Sequence, residues 1–272
     1  MTQLAIIAGK GQLPVEVAAA ASADGHNVLV LPIEGQADAD FTCYHSIPIR
    51  LGAVSETRST LAKNNICQLV MVGKVDWPSM TALRPDFDGI KLLGKMITKG
   101  DDSVLRTLAS YFAELGIETI APDRFLPHRR MPFGVVTGKA ASAEENESVS
   151  LAVSVLEALG GYDVGQSIVV QNSRVIAIEG AEGTDSMILR SAELCDPDGG
   201  VPCLVKMSKN AQDLRLDMPV IGCNTVLVAA RSGISFLAVE EGSVLMADNL
   251  VSIQKTCTDY HITLVGIRRK GR

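Results

Sequence analysis

The stretch from residue 206 to residue 225, KMSKNAQDLRLDMPVIGCNT, contains the side chains of this chain that are best suited to chemistry. It carries two lysines, one arginine and two aspartates, namely Lys206, Lys209, Asp213, Arg215 and Asp217. Cations of this kind hold phosphate oxygens, and carboxylates bind a hard divalent metal ion or accept a proton from water. The stretch therefore predicts phosphate chemistry assisted by a metal ion. The alternative is a solvated loop with scattered surface ion pairs.

The elements around this stretch would place it at the edge of a sheet. VPCLV at 201–205 is typical of a short buried strand, and Thr225 could cap the helix that follows. Ligands of α/β proteins bind beyond the carboxyl ends of such strands. If the segment between them is extended, Asp213, Arg215 and Asp217 share one face, because side chains alternate along extended backbone.

Glycine and lysine residues also follow other predicted strands. In LAIIAGKGQLP (4–14), Gly9 and Gly11 would expose backbone N–H groups at a helix N-terminus, which suits a phosphate or a ribose. The alternative is that these glycines only allow a tight turn. Lys74 lies at the C-terminal edge of the predicted strand CQLVMVGKV (67–75) and would face the ligand edge of a parallel sheet, with a surface charge as the alternative.

Two predicted helix starts are rich in oxygen atoms. Asp101 and Asp102 begin one helix, where capping and the helix dipole alone favour acidic residues. The other start is a strand-to-helix turn that carries Glu182, Gly183, Thr184 and Asp185. Several oxygen ligands at one turn suit a site for metal and phosphate, with helix caps as the alternative interpretation.

The opening of the chain also has features of a dinucleotide-binding unit. A strand, a glycine-rich turn and a helix lead to a second apolar strand, NVLVLPI at 27–33, which ends at Glu34. Glu34 lies near the place of a ribose-binding acid, but Pro14 stands where the fingerprint has its third glycine. An NAD-dependent oxidoreductase is therefore kept as an alternative function.

Composition excludes several classes of protein. Of the 272 residues, 47% are hydrophobic and 21% are charged, so the chain can bury a core and is not disordered. A net charge of −6 argues against general nucleic-acid binding, which needs a basic surface. The six cysteines form no CxxC pair, which predicts reduced thiols in a cytoplasmic protein. The sequence predicts neither a signal peptide nor a membrane-spanning helix.

The order of the predicted elements indicates an α/β protein of two domains. Residues 1–130 are expected to form a Rossmann-like N-terminal domain. The stretch at 123–135, with its prolines and basic pair, marks the boundary. Residues 131–272 are expected to form a distinct α/β domain with a mixed sheet, which would be the catalytic domain.

Local signals in the second domain are strong. A helix is predicted over 142–160, and Ser142 with Glu145 forms the pattern of a capping box at its start. Two apolar strands follow, and they meet in a predicted hairpin around Gln171, Asn172 and Ser173.

Five motifs in order resemble those of one enzyme family. They are IAGKGQLP (7–14), GKV (73–75), GDDSVLR (100–106), EGTD (182–185) and the stretch at 206–225. Together they resemble the metal-dependent UDP-2,3-diacylglucosamine pyrophosphatases of lipid A biosynthesis, the LpxI type. The resemblance extends over nearly the whole chain, and its longest and chemically most unusual part is QDLRLDMPVIG.

This resemblance implies hydrolysis of UDP-2,3-diacylglucosamine to UMP and 2,3-diacylglucosamine 1-phosphate (lipid X), with Mg²⁺ or Mn²⁺ as cofactor. It also implies two domains with the ligand held between them. The expected setting is the cytoplasm of a Gram-negative cell, peripheral to the inner membrane, and a homodimer is compatible with it. A non-catalytic carrier of lipid nucleotides, suggested by the basic tail at 267–272, is kept as a further alternative.

The same interpretation assigns roles to individual residues. The predicted catalytic residues are Asp217, Asp213 and Lys206, with Asp217 the one most closely tied to catalysis by the resemblance. The predicted metal ligands are Asp185, Asp213 and Asp217. Substrate contacts are predicted for Gly9, Gly11, Lys74, Asp101, Asp102, Glu182, Gly183, Thr184, Lys209, Arg215 and Thr225.

Overall fold

The computed structural model of the chain contains two compact units. It describes residues 2–76, 83, 85–96, 101–210 and 212–269, with the side chains of 93–96 and 101–104 excepted. Unit 1 comprises Met1–Pro127 together with Asp213–Asp217, and unit 2 comprises His128–Gln212 and Met218–Arg272. The first division of the chain, after Pro127, lies inside the stretch of prolines and basic residues at 123–135.

Unit 1 is built on a five-stranded parallel sheet with the order β3-β2-β1-β4-β5. Its strands are β1 (Gln3–Ala8), β2 (Asn27–Pro32), β3 (His45–Ser46), β4 (Gln68–Val72) and β5 (Glu118–Thr119). Its helices are α1 (Leu13–Ala23), α2 (Val54–Lys63), α3 (Phe87–Met96) and α4 (Asp101–Glu114). The apolar runs of β1 and β2 are buried almost throughout, as expected for central strands of a parallel sheet covered on both faces.

The strand order of unit 1 reverses between β1 and β4. The chain runs from β1 outward through β2 to β3, and then returns to the other side of β1 with β4 and β5. In open parallel sheets, such a reversal leaves a crevice at the carboxyl ends of the two strands. The loops after β1 and β4 therefore lie where a ligand of this unit is expected.

Unit 2 is built on a mixed six-stranded sheet with the order β6-β13-β11-β9-β7-β8 and a separate two-stranded sheet, β10-β12. Its strands are β6 (Gly134–Thr137), β7 (Ser167–Gln171), β8 (Arg174–Ile178), β9 (Cys203–Lys206), β10 (Val220–Ile221), β11 (Phe236–Glu240), β12 (Leu245–Met246) and β13 (Thr263–Ile267). Its helices are α5 (Ala143–Gly160), α6 (Thr184–Ala192), α7 (Cys223–Arg231) and α8 (Leu250–Asp259). The parallel sheet of unit 1 and the mixed sheet of unit 2 confirm the predicted α/β class.

The central strands of the unit 2 sheet are buried on both faces. Along β9, Leu204 belongs to one apolar cluster, whereas Cys203 and Val205 belong to the other, because successive side chains point to opposite faces. One cluster includes residues of α6, α7 and α8, and the other includes residues of α5. The strands β9, β11 and β13 are mutually parallel, so their carboxyl ends lie at one edge of the sheet.

Several local predictions for unit 2 are confirmed. Ser142 caps α5 with its side chain, and Glu145 completes the capping box. The β7–β8 hairpin turns at Asn172 and Ser173, which both have positive φ, as the favoured two-residue hairpin turn requires. The predicted cap Thr225 is wrong, since α7 begins at Cys223 after Gly222 and Thr225 lies within the helix.

No helix in the described part of the chain combines the length and apolar character needed to cross a membrane.

Candidate functional site

The crevice of unit 1 brings two lysines together. The loops after β1 and β4 exchange backbone hydrogen bonds, from Lys10 N to Lys74 O at 2.8 Å and from Lys74 N to Lys10 O at 3.2 Å. Both ammonium groups pair with Asp76, Lys10 at short range and Lys74 with 3.5 Å between Nζ and Oδ1. The hydrogen bond from Lys10 is the main cause that lowers the pKa of Asp76. Sequence reasoning found Lys74 but missed Lys10 and Asp76, although both lie just beyond strand ends.

Gly9 and Gly11, the two glycines of this crevice, make contacts within the protein. A Cβ on Gly9 would lie 2.6 Å from Lys74 O, so the close approach of the two loops requires glycine there. Gly9 N donates to Val72 O at 2.9 Å, and Gly11 N donates to Asp38 Oδ1 at 2.7 Å. The expectation that these N–H groups are exposed to a phosphate is wrong, because both already have acceptors within the protein.

The segment Asp213–Asp217 forms a turn. Leu216 N and Asp217 N both donate to Asp213 O, at 2.9 and 3.2 Å. The Asp213 carboxylate accepts from Arg215 through Nε at 2.9 Å and through a terminal nitrogen at 2.6 Å. The prediction of an extended segment with its charged residues on one face is therefore wrong. The turn exists because Asp213 supplies both a carbonyl and a carboxylate acceptor to the residues that follow it.

The arginine pairing changes the electrostatics of Asp213. A guanidinium group that binds both carboxylate oxygens favours the charged form of the acid. Hydrogen bonding to Arg215 is accordingly the largest cause that lowers the pKa of Asp213, and the same bond raises the pKa of Arg215. Asp217 is half-buried in the same turn.

An open pocket of about 520 Å³ lies beside this turn within unit 1. It is bordered by α4, β5 and the turn, and its lining includes the charged residues Arg106, Glu118, Asp213 and Arg215. The lining also contains apolar side chains, among them Ile117 and Leu216. A pocket with both signs of charge and an apolar wall can take a polar ligand with an apolar portion.

Lys206 is the most buried of the predicted catalytic residues. It is the last residue of β9, not the first of a loop, and only 5% of it is exposed. Its ammonium group donates to Thr184 Oγ1 at 2.7 Å and to Ser167 Oγ at 3.3 Å. Thr184 donates in turn to Glu179 Oε1 at 3.0 Å. Two hydroxyl groups thus hold the Lys206 side-chain nitrogen in one position at a strand end, and a cation fixed in this way can stabilise an anion without reorganisation.

Asp185 lies in the first turn of α6, beside the start of α7. Its carboxylate accepts from Asn224 Nδ2 at 2.7 Å and from Thr225 Oγ1 at 3.2 Å. Thr225 was predicted to cap α7. In the structure its hydroxyl faces Asp185 and does not cap the helix. Gly183 is the N-cap residue of α6, with φ of 81°, and supplies no side-chain cap.

Two predicted substrate contacts already have partners of opposite charge. Glu182 pairs with Arg190 at 2.7 Å, and the hydrogen bond from Arg190 is the main cause that lowers the pKa of Glu182. Lys209 pairs at short range with Asp163, whose backbone has positive φ. A substrate phosphate would have to compete with Asp163 for Lys209. Asp101 and Asp102 begin α4, as predicted, but their side chains lie outside the described residues.

The predicted metal ligands do not form a protein-only metal site in the described part of the chain. No group of three or more histidine, cysteine, aspartate or glutamate residues there could hold a metal ion. Asp185 belongs to unit 2, whereas Asp213 and Asp217 belong to unit 1. Asp213 is a poor ligand because Arg215 binds both its oxygens. Asp185 suits a cation better, since its hydrogen-bond donors Asn224 and Thr225 are neutral and do not offset its charge.

That donor set still fits one common mode of magnesium binding. Mg²⁺ usually takes one or two carboxylates together with substrate phosphates and water, and rarely a cage made only of protein. A single carboxylate such as Asp185 meets that requirement when the remaining ligands come from a phosphorylated substrate.

Comparison with known proteins found matches to both units of the chain. Family models described as the LpxI N-terminal domain and the LpxI C-terminal domain match residues 3–129 and 132–265. A curated relative, "UDP-2,3-diacylglucosamine pyrophosphatase LpxI" of Caulobacter vibrioides, is 31% identical over 280 residues and is covered over 100% of both chains. Among solved structures, the glycinamide-RNase-transformylase T of Mycobacterium tuberculosis is 13% identical, with 65% of this chain and 43% of that chain covered. Its TM-score of 0.25 supports no conclusion.

The two family models together cover both units and confirm the resemblance of the five sequence motifs. The relative's identity extends over the complete length of both proteins. On these grounds, the chain belongs to the LpxI family.

Proposed function

We propose that this protein is a UDP-2,3-diacylglucosamine pyrophosphatase of lipid A biosynthesis that releases UMP and 2,3-diacylglucosamine 1-phosphate. The observation that carries the proposal is the full-length match to a relative of that name. Buried Lys206, held by two hydroxyl groups at a strand end, supports it, because a dianionic pyrophosphate needs fixed positive charge in its transition state.

In unit 2, we assign the phosphate-facing role to Lys206. Its ammonium group is fixed by Thr184 and Ser167, so its position costs little reorganisation when charge develops on a leaving phosphate. Thr184 also bonds Glu179, which keeps the hydroxyl oxygen turned toward the lysine. Asp185 would hold Mg²⁺ or Mn²⁺ in the same unit. When bound, such an ion neutralises phosphate oxygens and makes its bound water more acidic.

In unit 1, we assign the proton-handling role to Asp217. Asp213, its neighbour in the turn, is bound on both oxygens by Arg215 and is therefore a positioning residue for the turn. This assignment keeps Asp217 as the aspartate most closely tied to catalysis and gives Asp213 a different role from the catalytic one predicted from the sequence. Lys10 and Lys74, in the crevice where the strand order of unit 1 reverses, offer cations for the nucleotide portion of the substrate.

The proposed products fix the bond that is cleaved, and the family resemblance implies attack at the β-phosphorus. Water adds to the β-phosphorus, the bond from that phosphorus to the bridging oxygen breaks, and the bridging oxygen leaves with UMP. Turnover in ¹⁸O-water should then place the label in 2,3-diacylglucosamine 1-phosphate. Label in UMP would refute attack at the β-phosphorus.

The central experiment is a turnover assay with purified protein, UDP-2,3-diacylglucosamine and Mg²⁺. We expect release of UMP, loss of activity with EDTA and recovery with added Mg²⁺ or Mn²⁺. Absence of UMP release by folded protein would favour a non-catalytic carrier of lipid nucleotides and would reject the proposal.

A matched pair of lysine variants tests the role of the buried cation. Lys206→Met should lower kcat by roughly 10²-fold, as expected for the loss of one preorganised group that stabilises developing charge. Lys255→Met removes a lysine of the same unit that is 78% exposed, and it should leave kcat unchanged. Equal activity of the two folded variants would remove Lys206 from the mechanism.

The finer setting of the enzyme follows the same proposal. Its lipid substrate resides in a membrane, so we propose a cytoplasmic protein that works peripherally at the inner membrane of a Gram-negative cell. A homodimer is compatible with this setting, and sedimentation of the purified protein would measure it.

A further inference from the structure

A buried ion pair lies at the carboxyl edge of the unit 2 sheet. Glu240 is the last residue of β11, and Arg269 follows β13, the parallel neighbour of β11. The two side chains are only 4% and 5% exposed, with 2.6 Å between Arg269 Nε and Glu240 Oε1. Removing two charges from water is costly unless additional hydrogen bonds satisfy both groups.

The additional hydrogen bonds all go to one short segment. Ser208 donates to Glu240 Oε2 from its backbone N at 2.9 Å and from its hydroxyl at 2.7 Å. Arg269 contacts Ser208 O and Asn210 Oδ1 at short range and Ser208 Oγ at 3.2 Å. The ion pair therefore holds the backbone and hydroxyl of Ser208 and the side chain of Asn210, in the segment 207–210.

That segment links two groups of proposed functional residues. It begins directly after Lys206, the last residue of β9, and it leads to the Asp213–Asp217 turn. Residues 207–209 form no helix or strand, so the segment lacks a hydrogen-bond ladder of its own. Met207 N donates to Gln166 O at 2.8 Å, and Asn210 Nδ2 donates to Glu157 O at 3.1 Å, which hold the opposite side of the segment.

We propose that Glu240 and Arg269 form a clamp that positions the 207–210 segment, and through it the adjoining Lys206, for catalysis. The proposal rests on the proposed function. Glu240 and Arg269 are positioning residues, because they act through the segment and not on the substrate. The planar guanidinium group is essential to the clamp, since one terminal nitrogen reaches Asn210 while the other reaches both Ser208 and Glu240. A small displacement of catalytic groups is enough to slow chemistry strongly.

The chain contains a matched control next to the clamp. Arg268, which directly precedes Arg269, pairs with Glu241, which directly follows Glu240, and these side chains are 60% and 30% exposed. Arg268→Lys and Arg269→Lys are therefore the same chemical change at adjacent positions, one at the surface and one in the clamp. Lysine keeps the positive charge beside the glutamate but cannot reproduce the three-way contact of the guanidinium group.

The test measures kcat, KM and amide hydrogen exchange for both variants beside the unaltered protein. In Arg269→Lys we expect kcat to fall roughly tenfold or more with KM within about threefold, because positioning affects the transition state. Exchange should quicken in peptides covering 207–210 and stay unchanged in the sheet. Arg268→Lys should match the unaltered protein in all three measurements.

The measurements distinguish failure of the clamp proposal from failure of the proposed function. A normal kcat in folded Arg269→Lys, or faster exchange throughout unit 2, would mean that the pair only stabilises the fold and would overturn the proposal. If Arg269→Lys does not fold, Ser208→Ala removes a hydroxyl contact while both charges stay paired, and the same exchange criterion applies to it. If the unaltered protein releases no UMP, the proposed function fails, and the exchange data alone decide whether the clamp orders 207–210.

Discussion

Asp213 and Asp217 have different roles in the turn to which both belong. Arg215 binds both carboxylate oxygens of Asp213, so that group is held as part of the turn. Asp217 closes the turn through its backbone N, which donates to Asp213 O at 3.2 Å. A carboxylate committed to arginine through both oxygens is poorly suited to accept a proton from water, which argues against Asp213 as the general base.

Substitution of the two aspartates should separate catalysis from turn stability. Asp217→Ala is expected to lower kcat by roughly 10²-fold or more, with substrate affinity retained, as for the loss of a catalytic acid–base group. Asp213→Ala should lower the melting temperature and reduce kcat less. Steady-state kinetics and thermal melts of both variants measure this, and a near-normal kcat in folded Asp217→Ala would contradict the assignment.

The Asp213–Arg215 pair should also make stability depend on pH. Because the folded-state pKa of Asp213 is lowered, its contribution is present above the unfolded pKa of about 3.9 and is lost as pH falls through the folded pKa. Melting temperatures of the unaltered protein and Asp213→Asn should differ at pH 7 and converge as the pH falls below about 3.9. A difference that is constant over this range would show that charge pairing is not its cause.

At the scale of elements, the loops after β1 and β4 are tied by a close backbone contact. A Cβ on Gly9 would lie 2.6 Å from Lys74 O and 2.8 Å from Gly73 O. Both are backbone atoms, so they cannot rotate away as a flexible side chain could. The position of Lys74 in the crevice of unit 1 therefore depends on Gly9, which follows the neighbouring strand β1.

Gly9→Ala should consequently destabilise unit 1 by about 1–3 kcal/mol, the usual cost of forcing backbone shifts in a packed region. It should also weaken binding of the nucleotide portion, because Lys10 and Lys74 would move apart. Gly161→Ala is the control, since Gly161 has a φ of −69° and an added methyl group there would meet no atom within 4 Å. Thermal melts and UMP titrations should show an effect for Gly9→Ala alone, and equal melts would contradict the steric argument.

At the scale of the whole molecule, the two acyl chains of the proposed substrate need an apolar surface, which the charged residues assigned to its phosphates and nucleotide do not supply. Two acyl chains must leave water when the lipid binds, and this burial favours a long-lived complex. The product retains both chains, so it should remain bound through purification. Organic extraction of protein purified from a Gram-negative host, followed by mass spectrometry, should find a diacylated glucosamine phosphate. Repeatedly clean extracts would argue against an enclosed acyl site.

The sequence by itself determined the features that depend on neighbouring residues. Apolar runs identified β1, β2 and β4, the Ser142–Glu145 pattern identified the start of α5, and paired turn residues identified the β7–β8 hairpin. The order of its motifs was sufficient to indicate the family that the comparisons show. Such signals are readable because helix caps, hairpin turns and strand patterns need only residues a few positions apart.

Only the tertiary structure decided which charged side chains have partners. Lys206 meets Ser167 and Thr184, 39 and 22 residues away, and Arg269 meets Glu240 across two parallel strands. The length of β9 made Lys206 a buried strand residue, and the acceptors of Asp213 made its segment a turn. Contacts of this range arise when separate strands end at one edge of a sheet, and that arrangement follows from strand order, which no local pattern of residues encodes.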